Sequence, residues 1–232
     1  MTPPDPPPTA RVVLSWSSGK DSAWTLQRLR AQGAEVVALL STVNQVFARV
    51  AMHGTRTELV QAQARAAGVP LIKVLLPWPC PNEAYEAALG EALIALRDTQ
   101  GVTQVAFGDL FLEEVRAYRE RLLASLGLQG VFPLWGMPSA PLAREMIAAG
   151  VEAWIVCLDP KRLPSEWAGA RVDARFLERL PAGVDPCGEN GEFHTAVTAG
   201  PMFSTRIPVR AGEVVERDGF VFADLLLEEA PP

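Results

Sequence analysis

From residue 11 onward the chain alternates short apolar, β-prone runs with stretches of helical periodicity. That alternation admits few folds, because each strand–helix–strand unit lays its strands parallel and covers the sheet with helices. Val12-Val13-Leu14 reads as a first strand, and Ala23, Leu26 and Leu29 mark one face of a helix that starts at Asp21 or Ser22 and stops at Gly33. Further strands are expected over 36–40, 71–75 and 104–107, with helices over 58–67, from a cap at Asn82 toward Arg97, and over 113–125. Beyond Gly127 the texture changes. Phe132-Pro133-Leu134-Trp135 leads to a short helix near 142–149 and an apolar strand over 153–158. Turn signals then separate β-prone runs at 194–198, 203–209 and 220–225, which read as antiparallel pairs. The expected architecture is α/β: a flexible proline-rich lead over 1–10, a parallel-sheet domain over 11–130, and a smaller α+β C-terminal region over 131–232.

The 232 residues, 49% of them hydrophobic, suffice for one large or two modest cores. A formal net charge of −6 speaks against a broad nucleic-acid surface, which relies on a dense stripe of lysine and arginine, so no nucleic-acid partner is expected. Cys80, Cys157 and Cys187 are far apart and odd in number, which supports neither a disulfide framework nor a zinc site. No run approaches the roughly eighteen apolar residues of a membrane span. The opening Met1-Thr2-Pro3-Pro4-Asp5-Pro6-Pro7-Pro8 lacks the basic and apolar regions of a secretion signal, so a cytoplasmic protein with no membrane partner is expected.

Chemistry is most concentrated in Leu14-Ser15-Trp16-Ser17-Ser18-Gly19-Lys20-Asp21-Ser22, which passes from a buried strand directly into a helix. A helix start presents N–H groups without partners and the positive end of a dipole. Gly19 lets the backbone approach oxygens closely, Ser15, Ser17, Ser18 and Ser22 add donors, and Lys20 adds a charge; these parts make a phosphate cradle. It is not a Walker loop, because Leu14 stands five positions before Gly19 and Asp21 replaces the Ser or Thr that would hold magnesium. The ordinary alternative is a strand–helix turn capped by Ser17 and Asp21.

The loop resembles the S-G-G-K-D-S loop of the N-type ATP pyrophosphatases, with Ser18 in the place of the first loop glycine. Further motifs follow in order: His53-Gly54 with Glu58-Leu59 and Gln61-Ala62; Phe107-Gly108-Asp109-Leu110 with Arg116-Ala117-Tyr118-Arg119-Glu120; Phe132-Pro133-Leu134-Trp135; and Asp185-Pro186-Cys187-Gly188-Glu189-Asn190-Gly191-Glu192-Phe193-His194-Thr195. Together they resemble the diphthine–ammonia ligase family, in particular its bacterial branch, from Val12 to about Leu225. The resemblance implies an ATP-binding domain of the adenine nucleotide α-hydrolase (Rossmann-like) type, cleavage of ATP between its α and β phosphates, and a family-specific C-terminal region. It also implies that the backbone at Ser41 and Thr42 contacts adenine.

Asp109 follows an apolar strand, which sets it at the carboxyl end of the sheet, where ligands bind in open α/β folds. There it would join Asp21 in holding Mg2+ between phosphate oxygens, an N-cap or loop aspartate being the plain alternative. Arg116, Arg119 and Glu120 share one helix face with Tyr118 turned away, as a solvated charged face would; the resemblance directs one of the two arginines to a phosphate or substrate carboxylate. Glu189, Glu192 and His194 fall in one glycine-bent segment. If Glu192 begins a strand, it projects with His194 from one side while Phe193 faces the other; the resemblance implies that the trio binds the acceptor or places a general base. A polar hairpin is the ordinary reading of such a segment. His53, after the second strand, is a further candidate contact to substrate.

The expected activity is therefore an ATP-dependent ligase that releases AMP and pyrophosphate. Lys20, Asp109, Glu189, Glu192 and His194 are its expected catalytic residues. Its partners would be ATP and a small carboxylate-bearing substrate or modified protein side chain, together with ammonia or an amine; a homodimer is compatible with the chain. Two other readings stand beside it: a non-catalytic ATP or AMP sensor, kept open by Ser18, and a transfer-RNA-modifying adenylating enzyme, which the acidic charge disfavours.

Overall fold

The computed structural model describes residues 10–51 and 53–228; the proline-rich lead, apart from Ala10, lies outside the described residues. Five parallel strands form the first sheet in the order β4-β2-β1-β5-β6: β1 is Arg11–Ser15, β2 Glu35–Asn44, β4 Leu71–Leu76, β5 Gln104–Ala106 and β6 Gln129–Val131. A two-residue strand, β3 (Arg49–Val50), pairs antiparallel with Val43 and Asn44 at the end of β2. The parallel connections are made by helices α1 (Lys20–Ala31), α2 (Thr57–Ala67), α3 (Asn82–Gln100) and α4 (Glu113–Ser125).

The alternation of strand side chains explains the two cores. Val12 and Leu14 enter one apolar cluster together with Ala23, Leu26 and Leu29 of α1, while Val13 between them enters a second with Leu89, Leu93 and Leu96 of α3 and Leu123 of α4. All three β1 residues are fully buried, so this strand is the centre of the fold. After α5 (Ser139–Ala148) a second sheet follows, antiparallel in the order β10-β11-β7-β8 with β9 also paired to β7. Its strands are β7 Glu152–Leu158, β8 Arg171–Val172, β9 Phe193–Ala199, β10 Val209–Arg217 and β11 Phe220–Leu227, with α6 (Ala174–Arg179) between β8 and β9. Leu142 of α5, Ile155 of β7 and Val197 of β9 belong to the same cluster as Val12 and Leu14, so both sheets share that core.

Several expected boundaries shift. The first helix begins at Lys20 rather than Asp21, and β2 runs on to Asn44 because β4 and β3 continue to pair with it after β1 has ended. Asn82 does not cap α3. Pro81 takes the cap position in extended conformation, and the Asn82 amide donates to Glu86 at 2.7 Å instead. The segment 203–208 is not a strand: its N–H groups are drawn to other elements, Ser204 donating to the Ala66 carbonyl of α2 and Ile207 to the Thr198 carbonyl of β9. Among the described residues, no helix is long and apolar enough to cross a membrane.

Candidate active site

The chain leaves β1 and turns into α1 through Ser17, Ser18 and Gly19, at the carboxyl edge of the parallel sheet. Ser18 has φ 74°, a left-handed conformation that an L side chain adopts only at a cost. It is fully buried and tied down there. Its Oγ shares a 2.8 Å hydrogen bond with Thr55 Oγ1, and its carbonyl accepts from the Val197 N–H at 2.9 Å and the Gln63 amide at 3.0 Å. Ser18 thus keeps the backbone shape that a glycine would take without strain. The Lys20 N–H donates to Thr195 Oγ1 at 3.1 Å, so strand β9 of the second sheet flanks the loop directly.

The sequence reading aims the Lys20 amine at phosphates; the structure turns it inward. The Lys20 side chain is 4% exposed, and its stem borders a small apolar gap with Ala143, Met146 and Val151. Nζ donates to Asp21 Oδ2 at 2.8 Å and to the Cys187 carbonyl, with the Phe193 ring centroid 5.4 Å away. Burial opposes the charge of this amine, but Asp21, Cys187 and Glu189 outweigh burial and hold its pKa above the ordinary value. Burial also pushes Asp21 upward against the pull of Lys20, and Asp21 Oδ1 is buried without a hydrogen-bond partner.

Beside the loop, Gly108 follows β5. A Cβ here would lie 2.9 Å from the carbonyl carbon of Asp21, so only glycine lets this strand end touch the first turn of α1. The next residue, Asp109, accepts from Arg119 Nη2 at 3.0 Å, while its other oxygen lies 2.8 Å from Arg119 Nε without hydrogen-bond alignment. The Arg119 guanidinium stacks 4.2 Å from the Phe107 ring centroid. Both residues are thereby committed to each other.

One residue further, the Leu110 N–H donates to Glu189 Oε1 at 2.7 Å, which brings the far C-terminal segment to the carboxyl edge of the parallel sheet. Burial pushes the Glu189 carboxyl up to about 7, with Asp21 and Asp109 adding to the rise and the Leu110 bond and Lys20 opposing it. The loop that carries Glu189 organises itself. Asp185 Oδ2 accepts the N–H groups of Cys187 and Glu189, each at 3.0 Å. Glu192, 1% exposed, accepts from the N–H of Asp185 at 2.9 Å and of Asn190 at 3.0 Å, and from Arg162 at 3.3 Å. Strand β9 starts at Phe193, so strand alternation does not extend to Glu192, and its carboxylate faces its own loop rather than sharing a side with His194.

His194 sits instead against His53, with ring centroids 4.5 Å apart. Burial and the nearby Lys20 charge lower the His194 pKa to about 4; burial, with His194 and Lys20 adding to it, holds His53 well below its usual value. Both imidazoles are neutral near pH 7, and the one N–H of His53 points from Nδ1 to the Thr195 carbonyl at 3.5 Å. A Cβ on Gly19 would lie 3.3 Å from His53 Cε1, which sets this pair against the loop. Asp224 fixes the approach of His53: it pairs with Arg49 at 2.9 Å and Arg56 at 2.6 Å, and Arg49 also donates to the Gly54 carbonyl at 2.7 Å.

The diphthamide synthase N-terminal domain matches residues 10–130, and the diphthamide synthase C-terminal domain matches residues 139–223. The chain belongs to the diphthamide synthase family. A diphthine–ammonia ligase of Rattus norvegicus is 28% identical over 241 residues, covering 92% of this chain and 88% of that protein, and the enzyme of Homo sapiens is 27% identical at the same coverage. The diphthine–ammonia ligase of Danio rerio is 28% identical, covering 92% of this chain and 91% of its own. A solved structure described as a predicted subunit of tRNA methyltransferase from Methanocaldococcus jannaschii aligns at TM-score 0.43 and 17% identity, over 83% of this chain and 98% of that one.

In this diphthamide synthase family member, Gly108 meets the Asp21 backbone, the Leu110 N–H holds Glu189, and His53 lies against Gly19 and His194, so these residues gather about the start of α1. Ser17 Oγ donates to Ser22 Oγ at 3.2 Å, and Ser22 Oγ is within 3.0 Å of the Gly19 carbonyl. Ser15 ends β1 beneath the loop. Ser41 and Thr42 lie inside β2: Ser41 Oγ donates to the Trp16 carbonyl at 2.8 Å, and the Thr42 carbonyl already accepts from Ala51 at 3.0 Å. Arg116 ion-pairs with Glu120 at 2.8 Å and lies against the rings of Phe132 and Trp135, at 4.8 and 4.7 Å.

Sequence reasoning missed Gln63 and Thr195. Gln63 is fully buried on the apolar side of α2, where its amide joins Trp16, Ser18 and Val197. A lone glutamine among Leu59, Val60, Ala64 and Ala67 was the available signal. The Leu110 N–H and Cys187 carbonyl are backbone groups, which no residue type announces.

Proposed function

We propose that the protein is an ATP-dependent ligase that adenylates a carboxylate and joins it to ammonia or an amine, releasing AMP and pyrophosphate. The observation that carries the reading is the 2.7 Å bond from the Leu110 N–H to Glu189, which brings the acceptor loop of 185–194 to the strand end that touches the nucleotide loop. The names of the relatives, diphthine–ammonia ligases, supply the reaction class. The division of labour follows: 11–130 binds ATP and 131–232 recognises the acceptor. The bacterial-branch assignment and a homodimer belong to the same reading.

In this scheme a carboxylate oxygen attacks the α-phosphorus, the bond to the bridging oxygen breaks, and pyrophosphate leaves. The amine then attacks the acyl carbon, AMP leaves, and the proton lost by the amine passes to Glu189. A carboxylate that titrates at about 7 is suited to that proton. N–H groups at the start of α1 other than that of Lys20 would hold phosphate oxygens, and the neutral imidazole of His194 would donate to one without adding charge.

Mg2+ fits one part of the site. Asp21 Oδ1 is a buried acceptor without a partner, whereas Asp109 is occupied by Arg119, and among the described residues no three His, Cys, Asp or Glu side chains are grouped for a metal. Asp21 would therefore be the protein's ligand to Mg2+, completed by phosphate and water oxygens, and the ion would neutralise charge on the phosphates.

The test is pyrophosphate release from Mg·ATP with ammonium and a panel of carboxylates, a diphthine-bearing protein among them. Release that depends on both a carboxylate and ammonium is expected. Tight ATP binding with no turnover anywhere in the panel would favour the sensor, and release that requires transfer RNA would favour base adenylation.

A further inference from the structure

We infer that Lys20, although it lies in the nucleotide loop, serves the acceptor half: it is a positioning residue that holds the acceptor loop and Glu189 against the start of α1 and does not contact the phosphates. This rests on the ligase reading above. The geometry is specific. The Lys20 amine is enclosed by Asp21 Oδ2, the Cys187 carbonyl and the Phe193 ring, and its side chain is 4% exposed. To reach a phosphate it would have to abandon a carboxylate and a carbonyl, both buried, leaving each unpaired. Cys187 lies two residues before Glu189, and Asp185 Oδ2 ties their two N–H groups together. The ammonium thus fixes the root of the turn that presents Glu189, and it is the cation beside a cluster that also contains Asp21 and Asp109.

Lys20→Met keeps the length of the stem and removes the charge and the bond to Cys187. The loop keeps its internal bonds through Asp185 and Glu192, but the root of its turn is released from α1, and Glu189 is expected to leave its burial beside Asp21 and Asp109. Calorimetric titration with magnesium and α,β-methylene-ATP is expected to give an affinity within about threefold of the native protein. The midpoint of Glu189, followed by carboxyl 13C NMR and assigned by difference from Glu189→Gln, should fall from the native value of about 7 toward that of a solvated glutamate. A lysine that acted only as a neighbouring charge would leave Glu189 in place, and the midpoint would rise. That rise, an unchanged midpoint, or a loss of affinity beyond tenfold overturns the inference.

The native protein provides a second measurement that does not depend on the variant folding. The chain has three lysines, Lys20, Lys73 and Lys161, so the slowly exchanging buried amine is readily picked out in 15N-lysine spectra. Its slow exchange should persist when the analogue is added; collapse of that signal as the analogue binds would place the amine on phosphate and overturn the inference. Absence of nucleotide binding by the native protein would instead remove the ligase reading itself.

Discussion

The loop Ser17 to Ser22 and the proposed acceptor loop, Asp185 to His194, use their polar side chains in opposite directions. In Ser17 to Ser22 the side chains are mostly turned inward, toward Thr55, Cys187 and one another, so a ligand at this helix start would be met chiefly by backbone N–H groups other than that of Lys20, which Thr195 holds. In Asp185 to His194 two carboxylates, Asp185 and Glu192, close the backbone on itself, so that Glu189 and His194 can be presented by their side chains. The difference suits the chemistry proposed: phosphates are recognised by fixed donors, whereas amide formation needs a group that changes its proton occupancy.

The largest expected effect is therefore at Glu189. Glu189→Gln should lower amide formation by about 10²- to 10⁴-fold while leaving Mg·ATP affinity intact, measured by AMP production and calorimetry. The native rate should rise as pH passes through about 7, where Glu189 ionises, and the variant should lack that rise. Stability runs the other way. Because the folded pKa lies above the ordinary 4.5, the contribution of Glu189 is fully present below about 4.5 and is lost as pH rises through about 7, so Tm of the Gln variant should fall less over that window.

Glu192→Ala separates the organising carboxylates from the presented one. It leaves the N–H groups of Asp185 and Asn190 without a buried acceptor, and should cost about 2–4 kcal/mol in urea unfolding. A loss of turnover with native stability would instead return Glu192 to the chemistry. Gly188→Ala comes next: the residue has φ 73° and a Cβ would lie 2.6 Å from the Phe193 carbonyl oxygen, so a penalty of at least about 1–2 kcal/mol is expected, with weakened turnover. The smallest effect belongs to the nucleotide loop. Ser18→Ala removes the buried bond to Thr55 and should cost about 1 kcal/mol.

The centre of the parallel sheet was legible because Val12-Val13-Leu14 and Val37-Ala38-Leu39-Leu40 are buried on both faces, which makes each a continuous apolar run. The 203–208 segment misled because residues such as Phe203 and Ile207 are apolar for a different reason: they pack as a loop against α2 and β9. In the site, residue types located both loops but not the direction of their side chains. Lys20 and Glu192 both read as ligand-facing, and both are drawn inward by partners that sequence does not display: the Cys187 carbonyl, 167 positions away, for one, and the N–H groups of a turn for the other.

The most direct test is the identity of the nucleotide product. ATP labelled in its α-phosphate should be converted, in the presence of ammonium and an active carboxylate, to labelled AMP with one pyrophosphate per amide formed, and Glu189→Gln should bind the same nucleotide while forming little AMP. Labelled ADP with inorganic phosphate would contradict the account.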